Sequence, residues 1–291
     1  MLDLLCVGHA SYDITMSSAR HPGPDEKIFA DAMQLAGGGP AANAAVCAAR
    51  LGAVAGFCGY LGNDLFGDIH LGELESEGVD TSLVQRGAYP SPVSQILAKA
   101  DGKRSLVNYK GETPWLAADA VSIESSPKVM LFDGHEPLLS LPLCHQARKM
   151  GVPTVLDAGS LHKGTQELAG LVDYLVASEK FARQWCGTND MEKALDELAA
   201  VSDTVVITLG EKGLIWYRNG EKGAMPAFQV HAVDSTGAGD AFHGAFALGL
   251  ARGMAWPDLL RFASAVGALT CTKLGARPAL PNAAEVHALI G

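Results

Sequence analysis

The chain has 291 residues, enough to bury a full-sized core as one large domain or a domain with a smaller elaboration. Its 48% hydrophobic and 19% charged residues exclude a disordered or fibrous polymer. A net charge of −10 without any Lys/Arg run excludes the cationic surface that nucleic acid needs, although backbone N–H groups can still hold an anionic nucleotide.

From the N-terminus, Met1-Leu2-Asp3-Leu4-Leu5-Cys6-Val7 has no basic leader, and residues 4–8 read as a first strand. Continuous apolar runs at 54–59, 128–133, 153–157, 173–177 and 204–209 fit further strands covered on both faces. Between them, 41–51, 64–77, 138–150, 178–186 and 191–200 are long enough for crossover helices, which predicts a mainly parallel α/β sheet. Residues 11–35 and 88–112 break the rhythm and read as a small, discontinuous β lid, with Asp101-Gly102 as a hairpin turn between strands at 94–100 and 104–109. Two Ala-rich apolar helices are expected at 236–252 and 257–273. No apolar run approaches the ~20 residues of a membrane span. The cysteines (Cys6, Cys47, Cys58, Cys144, Cys186 and Cys271) form no CxxC pair and read as reduced thiols. A soluble, cytoplasmic protein with no membrane or nucleic-acid partner is the expectation.

The strongest chemical signal is Asp234-Ser235-Thr236-Gly237-Ala238-Gly239-Asp240 at the start of a helix. Bare glycine backbone lets N–H groups converge on an anion where the helix dipole favours negative charge, and Asp240 falls in the first turn, placed to take a proton from a hydroxyl. Alone, the string is equally compatible with a shaped loop and a capped helix. A second cluster, Gly37-Gly38-Gly39-Pro40-Ala41-Ala42-Asn43, opens another helix with Pro40 in its first turn. Its Gly37-x-Gly39-x-x-Ala42 spacing also satisfies a loose dinucleotide fingerprint, but it follows the presumed lid strands rather than the first strand.

The segment 38–67, with Asn43, Ala48-Ala49-Arg50-Leu51-Gly52, Gly62-Asn63-Asp64 and Gly67, resembles the N-terminal signature of the ribokinase-like (PfkB) carbohydrate kinases. Residues 234–244 resemble their C-terminal signature, in the right order and spacing, and the likeness runs over essentially the whole chain. It implies a three-layer α/β/α kinase domain over 1–291 with the β lid, acting with ATP and Mg²⁺. By the same resemblance Asp240 is the base, and Gly237, Ala238 and Gly239 form the anion hole; phosphoryl transfer asks a protein mainly for alignment and charge neutralisation. Asp13, Gly38, Gly39 and Asn43 map to sugar-binding positions, although Asp13 could be a turn residue and Asn43 a helix cap. For the nucleotide, the pattern maps to Ser178, Thr208, Gly210, Gly213 and Ser264, with an ordinary turn at 208–213 and a bystander serine as the alternatives. Asp234 and Thr236 match positions that hold a monovalent cation, potassium, in some members.

The family's Asn-x-x-Glu motif reads here Ser178-Glu179-Lys180-Phe181, so Glu179 is the candidate magnesium residue, or simply a first-turn residue complementing the helix dipole. Within the family the chain looks most like fructose- and sulfofructose-type kinases. Lys27 and Asn108 match lid positions facing the sugar tail, and His135 stands where the sulfosugar enzymes carry Arg, which favours recognition of hydroxyls. The resemblance implies a ketose or furanose whose primary hydroxyl is phosphorylated, and a homodimer paired through the lids. A nucleoside or vitamin kinase, or a catalytically silent sugar-binding protein, are the alternatives.

Overall fold

A computed structural model describes residues 1–99 and 104–291; the Asp101-Gly102 turn lies outside the described residues. The chain opens with β1 (Leu4–Val7), β2 (Ser11–Ser18), β3 (Ala32–Gly38), α1 (Pro40–Arg50), β4 (Ala55–Cys58) and β5 (Tyr60–Gly62). Next come α2 (Leu65–Ser76), β6 (Gln85–Gly87), β7 (Val93–Lys99), β8 (Arg104–Tyr109), β9 (Val129–Phe132), α3 (Pro137–Lys149) and β10 (Thr154–Ala158). They are followed by α4 (Lys163–Leu168), β11 (Tyr174–Ser178), α5 (Glu179–Cys186), α6 (Met191–Ala199), β12 (Thr204–Thr208), β13 (Leu214–Arg218) and β14 (Glu221–Met225). Four helices close the chain: α7 (Ala238–Ala251), α8 (Trp256–Thr270), α9 (Ala276–Ala279) and α10 (Ala283–Ile290).

The main sheet has eight strands in the order β14-β13-β12-β11-β10-β9-β1-β4. All pairs from β12 to β4 are parallel, and the two C-terminal strands add an antiparallel edge. Its central strands are buried on both faces because side chains alternate between two cores. In β1, Leu4 and Cys6 point toward the layer of α1, α7 and α8, while Leu5 and Val7 point toward α3, α5 and α6. This is the expected three-layer α/β/α arrangement. Among the described residues no helix is long and apolar enough to cross a membrane. All six cysteines are free thiols, four of them buried.

Both segments assigned to the lid contribute to a second, four-stranded sheet in the order β3-β2-β7-β8. Strand β2 pairs antiparallel with β3 and parallel with β7, so this sheet is woven from distant parts of the chain. Residues 19–31 form a loop instead of strand, and β3 runs past the predicted limit of 35 to Gly38, directly into α1. The antiparallel pair β13 and β14 was not read from the sequence. Its strands mix Lys, Glu and Gly with Trp216 and Tyr217, as suits an edge that is covered on one side only.

Helices α1 and α7 cross closely. A Cβ on Gly244 would lie 2.6 Å from the Ala44 carbonyl oxygen, so only glycine allows this approach. The contact matters because it brings the start of α1, with Asn43, against the start of α7, with Asp240.

Candidate active site

The site lies beyond the C-terminal ends of the parallel strands, where open α/β sheets place their ligands. Three elements build it: the β3–α1 junction, the N-terminus of α7, and the loops leaving β1, β9 and β10. Gly39 caps α1 at φ 94° and packs against the loop after β1, where a Cβ would sit 2.5 Å from the His9 carbonyl oxygen. This glycine cluster follows a strand of the small sheet rather than the first strand of a βαβ unit, which removes the dinucleotide-fingerprint reading.

Asp13, Gly38, Asn43 and Asp240 come together as the sequence suggested. Asp240 sits half-buried in the first turn of α7, and Asn43 Nδ2 donates to its Oδ2 at 2.8 Å. Asn43 is 1% exposed, and its Oδ1 has no partner among the described residues. A buried acceptor left open in this way is costly unless a ligand hydroxyl fills it. Asp13 is also buried, accepts from Ser11 Oγ at 2.9 Å, and faces Gly38 so closely that a Cβ there would lie 2.1 Å from its Oδ2. Strand register aligns Asp13, Ser94 and Asn108 in a row across β2, β7 and β8. Lys27 is exposed in the 19–31 loop, outside this row.

Burial, with repulsion from Asp240, pushes the Asp13 carboxyl up to about 6, against its bond to Ser11 and the pull of Arg277. Two expectations follow. Sugar kcat/KM should fall as pH drops through about 6, because protonated Asp13 can no longer accept from two hydroxyls, and Asp13→Asn should remove that limb of the profile. The sign for stability is opposite. The unfolded carboxyl ionises near 3.8 and the folded one only near 6, so folding loses stability as pH rises between these values and stays lower above. Asp13→Asn should therefore raise the melting temperature at pH 7.5 by the equivalent of about 1–3 kcal/mol, and not at pH 4.

At α7, Gly237 is the left-handed cap, with φ 77° and its Cα against Ala276, where a side chain would clash at 2.6 Å. Gly239 faces open space. The Ala238 amide makes a long 3.3 Å bond to the Ser235 carbonyl, so the Gly239 and Asp240 amides present the helix dipole to the opening. Asp234 is buried; its Oδ1 accepts from the Thr236 amide and hydroxyl and its Oδ2 from the Gly275 amide, which fixes the loop entering the helix.

Three imidazoles gather where the chain leaves β1 and β9 and enters α4. His135 lies between His9 and His162, with ring centroids 5.1 and 4.6 Å away. Burial and the neighbouring ring push His9 down to about 3 and His162 to about 4, so both are neutral at pH 7. Their anchor is Asp133, which the sequence reading missed. Its Oδ2 accepts from the amides of His9 and Ala41 and its Oδ1 from that of His135, so one carboxylate ties together the ends of β1 and β9 and the start of α1. Arg104 was also missed: from β8 it donates to Ser235 Oγ at 3.2 Å, and thus the small sheet touches the loop into α7. No local pattern marks either residue, because each works through partners far away in sequence.

The nucleotide candidates occupy the ends of β11 and β12. Ser178 caps α5 by accepting from the Phe181 amide, and Thr208 donates to the Ala177 carbonyl. Gly210 and Gly213, at φ 60° and 94°, make the turn joining β12 to β13. Ser264 is half-buried on α8. Glu179 is paired with Arg183 at 2.5 Å across one helical turn, and Phe181, in place of the family glutamate, is buried against Trp185.

The carboxylate of Asp240, the free amides at the start of α7 and a buried asparagine with an open acceptor thus meet in one place, an arrangement that suits transfer of an anionic group to an alcohol. The model of the pfkB family carbohydrate kinases matches residues 1–283, and the chain belongs to that family. It is 29% identical to a ribokinase of Bacillus subtilis (strain 168) over all of both chains, and 32% identical to fructokinase-1 of Zea mays over 90% of each. A solved structure of Arabidopsis thaliana ribokinase complexed with ribose and ATP superposes with a TM-score of 0.84 at 26% identity, covering 99% of this chain and 98% of that one. The protein is accordingly an ATP-dependent sugar kinase.

Proposed function

We propose that the enzyme transfers the γ-phosphate of ATP to the primary hydroxyl of a neutral ketose or furanose sugar, with Asp240 as base. The observation that carries this reading is the Asn43–Asp240 bond of 2.8 Å. It locks the proton acceptor to a residue whose second polar atom is buried, open and suited to a sugar hydroxyl. Asp13 accepts from two further hydroxyls, Gly38 and Gly39 let the ring approach the backbone, and the family resemblance assigns Asn108, in register with Asp13, and Lys27, from the exposed 19–31 loop, to the sugar tail. Asp240 then takes the hydroxyl proton as the oxygen attacks phosphorus, while the turn of Gly237, Ala238 and Gly239, through the free Gly239 and Asp240 amides, stabilises the charge on the phosphoryl oxygens. ATP is supported by the ligands named for the Arabidopsis relative, and Ser178, Thr208, Gly210, Gly213 and Ser264 form its proposed cradle.

Magnesium would arrive on the nucleotide phosphates, since it keeps several waters and is bound through one or two carboxylates plus phosphate oxygens rather than in an all-protein cage. Glu179 would reach that ion by exchanging Arg183, and the ion would neutralise phosphate charge. Potassium belongs to the same reading through Asp234 and Thr236.

The neutral state of His9 and His162 favours hydroxyls over a sulfonate, since no fixed cation from these two rings awaits an anion. A coupled assay with fructose, tagatose, ribose, sulfofructose and adenosine, run in potassium and in sodium buffers, tests the assignment. Fructose, tagatose or ribose should give the highest kcat/KM, and activity confined to adenosine or sulfofructose would overturn the neutral-sugar assignment.

The small sheet is the proposed lid, reaching the site through Asp13 and Arg104. Its strands expose Met33, Leu35, Leu106, Val107 and Tyr109, and a second lid is the proposed cover, giving a homodimer. Light scattering should show a dimer, and Val107→Glu should shift it to monomer.

A further inference from the structure

One turn beyond Asp240, His243 points into the molecule and is 2% exposed. Its Nδ1 lies 2.6 Å from the Gly239 carbonyl oxygen, and its Nε2 lies 3.1 Å from the Val176 carbonyl oxygen in β11. Asp157, near the end of β10 and also buried, has its Oδ2 3.4 Å from the same Nδ1. A carbonyl oxygen can only accept, and a neutral imidazole has a single N–H. Both contacts are hydrogen bonds only when both ring nitrogens carry hydrogen.

We propose that His243 is held as a buried imidazolium paired with Asp157, and that it is a positioning residue for phosphoryl transfer. This rests on the kinase reading of the site. The cation ties the first turn of α7 to β10 and β11, so the turn carrying Asp240 is fixed from behind as Asn43 fixes it from the front. The Gly239 carbonyl belongs to the same peptide group as the Asp240 amide. A positive charge on that oxygen polarises the group and makes the amide a stronger donor toward the phosphoryl oxygens.

The surrounding charges give the pair a second purpose. Asp157 feels Asp240 from α7 and Asp133 from the end of β9, and the Cys6 thiol of β1 lies within the same field. Asp157 thus sits buried in the field of two other carboxylates, and a neutral residue at 243 would remove the positive charge beside it. Burial and the two neighbouring carboxylates push Asp157 upward, and His243 opposes that shift.

Long-range ¹H–¹⁵N spectra of the labelled full-length enzyme test the charge state directly. Both ring nitrogens of His243 should carry hydrogen in the unaltered enzyme, and Asp157→Asn should return the ring to a single N–H. His243→Asn keeps one donor near Nδ1 but has neither the charge nor the second donor. It should lower kcat about tenfold or more, with sugar KM changed less than about twofold. A ring with one N–H in the unaltered enzyme would overturn the proposal. So would a wild-type kcat in His243→Asn, or a rise in KM that matches the fall in kcat. The spectra decide the imidazolium even if no sugar proves to be a substrate, so failure of the kinase reading would be recognised separately.

Discussion

Asp240→Asn should lower turnover by roughly 10²–10⁴-fold while sugar affinity stays within a few-fold of wild type. The substitution is nearly isosteric. Its amide oxygen can still accept from Asn43 Nδ2, the bond of 2.8 Å that holds the side chain in place, so α1 and α7 keep their contact. What disappears is the capacity to take a proton from the sugar hydroxyl as it attacks. Calorimetric sugar titration beside single-turnover kinetics separates the two effects. A binding protein without catalysis would show no turnover to lose, and a purely structural aspartate would show a lower melting temperature in place of a specific loss of kcat.

Gly38→Ala should raise sugar KM roughly a hundredfold or more, although it adds only a methyl group. The new Cβ would sit 2.1 Å from Asp13 Oδ2 and 2.3 Å from its Cγ, so the carboxylate has to leave its position. Two hydrogen bonds from sugar hydroxyls to a charged acceptor would go with it, each contributing about 1.5–3 kcal/mol. Both residues lie in the buried corner where β2 and β3 meet α1, so the clash also costs roughly 1–3 kcal/mol of fold stability. Asp13→Asn provides the contrast, sharing the weaker sugar binding while melting higher at neutral pH. If Gly38→Ala kept a wild-type KM, Asp13 would not be a sugar ligand.

The parallel core was legible in the sequence because strands such as Leu4–Val7 and Val129–Phe132 are buried on both faces and so read as unbroken apolar runs. The edge was less legible. Strands β13 and β14 carry Lys222, Glu221 and Gly223 on a half-covered surface, where the apolar signal fades. Within the candidate site, Asp240, Asn43 and Gly38 could be picked out because glycine strings at helix starts leave a local mark, whereas Asp13, in strand β2, was named through the family resemblance alone. Asp133, Asp157, His243 and Arg104 could not, since each is given its meaning by a partner brought near only through folding. His243 stood in plain view within the C-terminal signature, yet its two carbonyl partners lie four and sixty-seven residues away. The proposed magnesium residue was the least legible: Phe181 is buried in the core, and Glu179 is bound to Arg183.

The central claim is that Asp240 and the amides of the α7 N-terminus meet a sugar hydroxyl and a phosphoryl group at one point. A crystal structure with sugar and a non-hydrolysable ATP analogue tests it most directly. The account predicts the acceptor hydroxyl within about 3 Å of an Asp240 carboxylate oxygen, and the terminal phosphate against the Gly237–Gly239 turn. A sugar bound elsewhere, or a nucleotide whose terminal phosphate lies far from that turn, would contradict it.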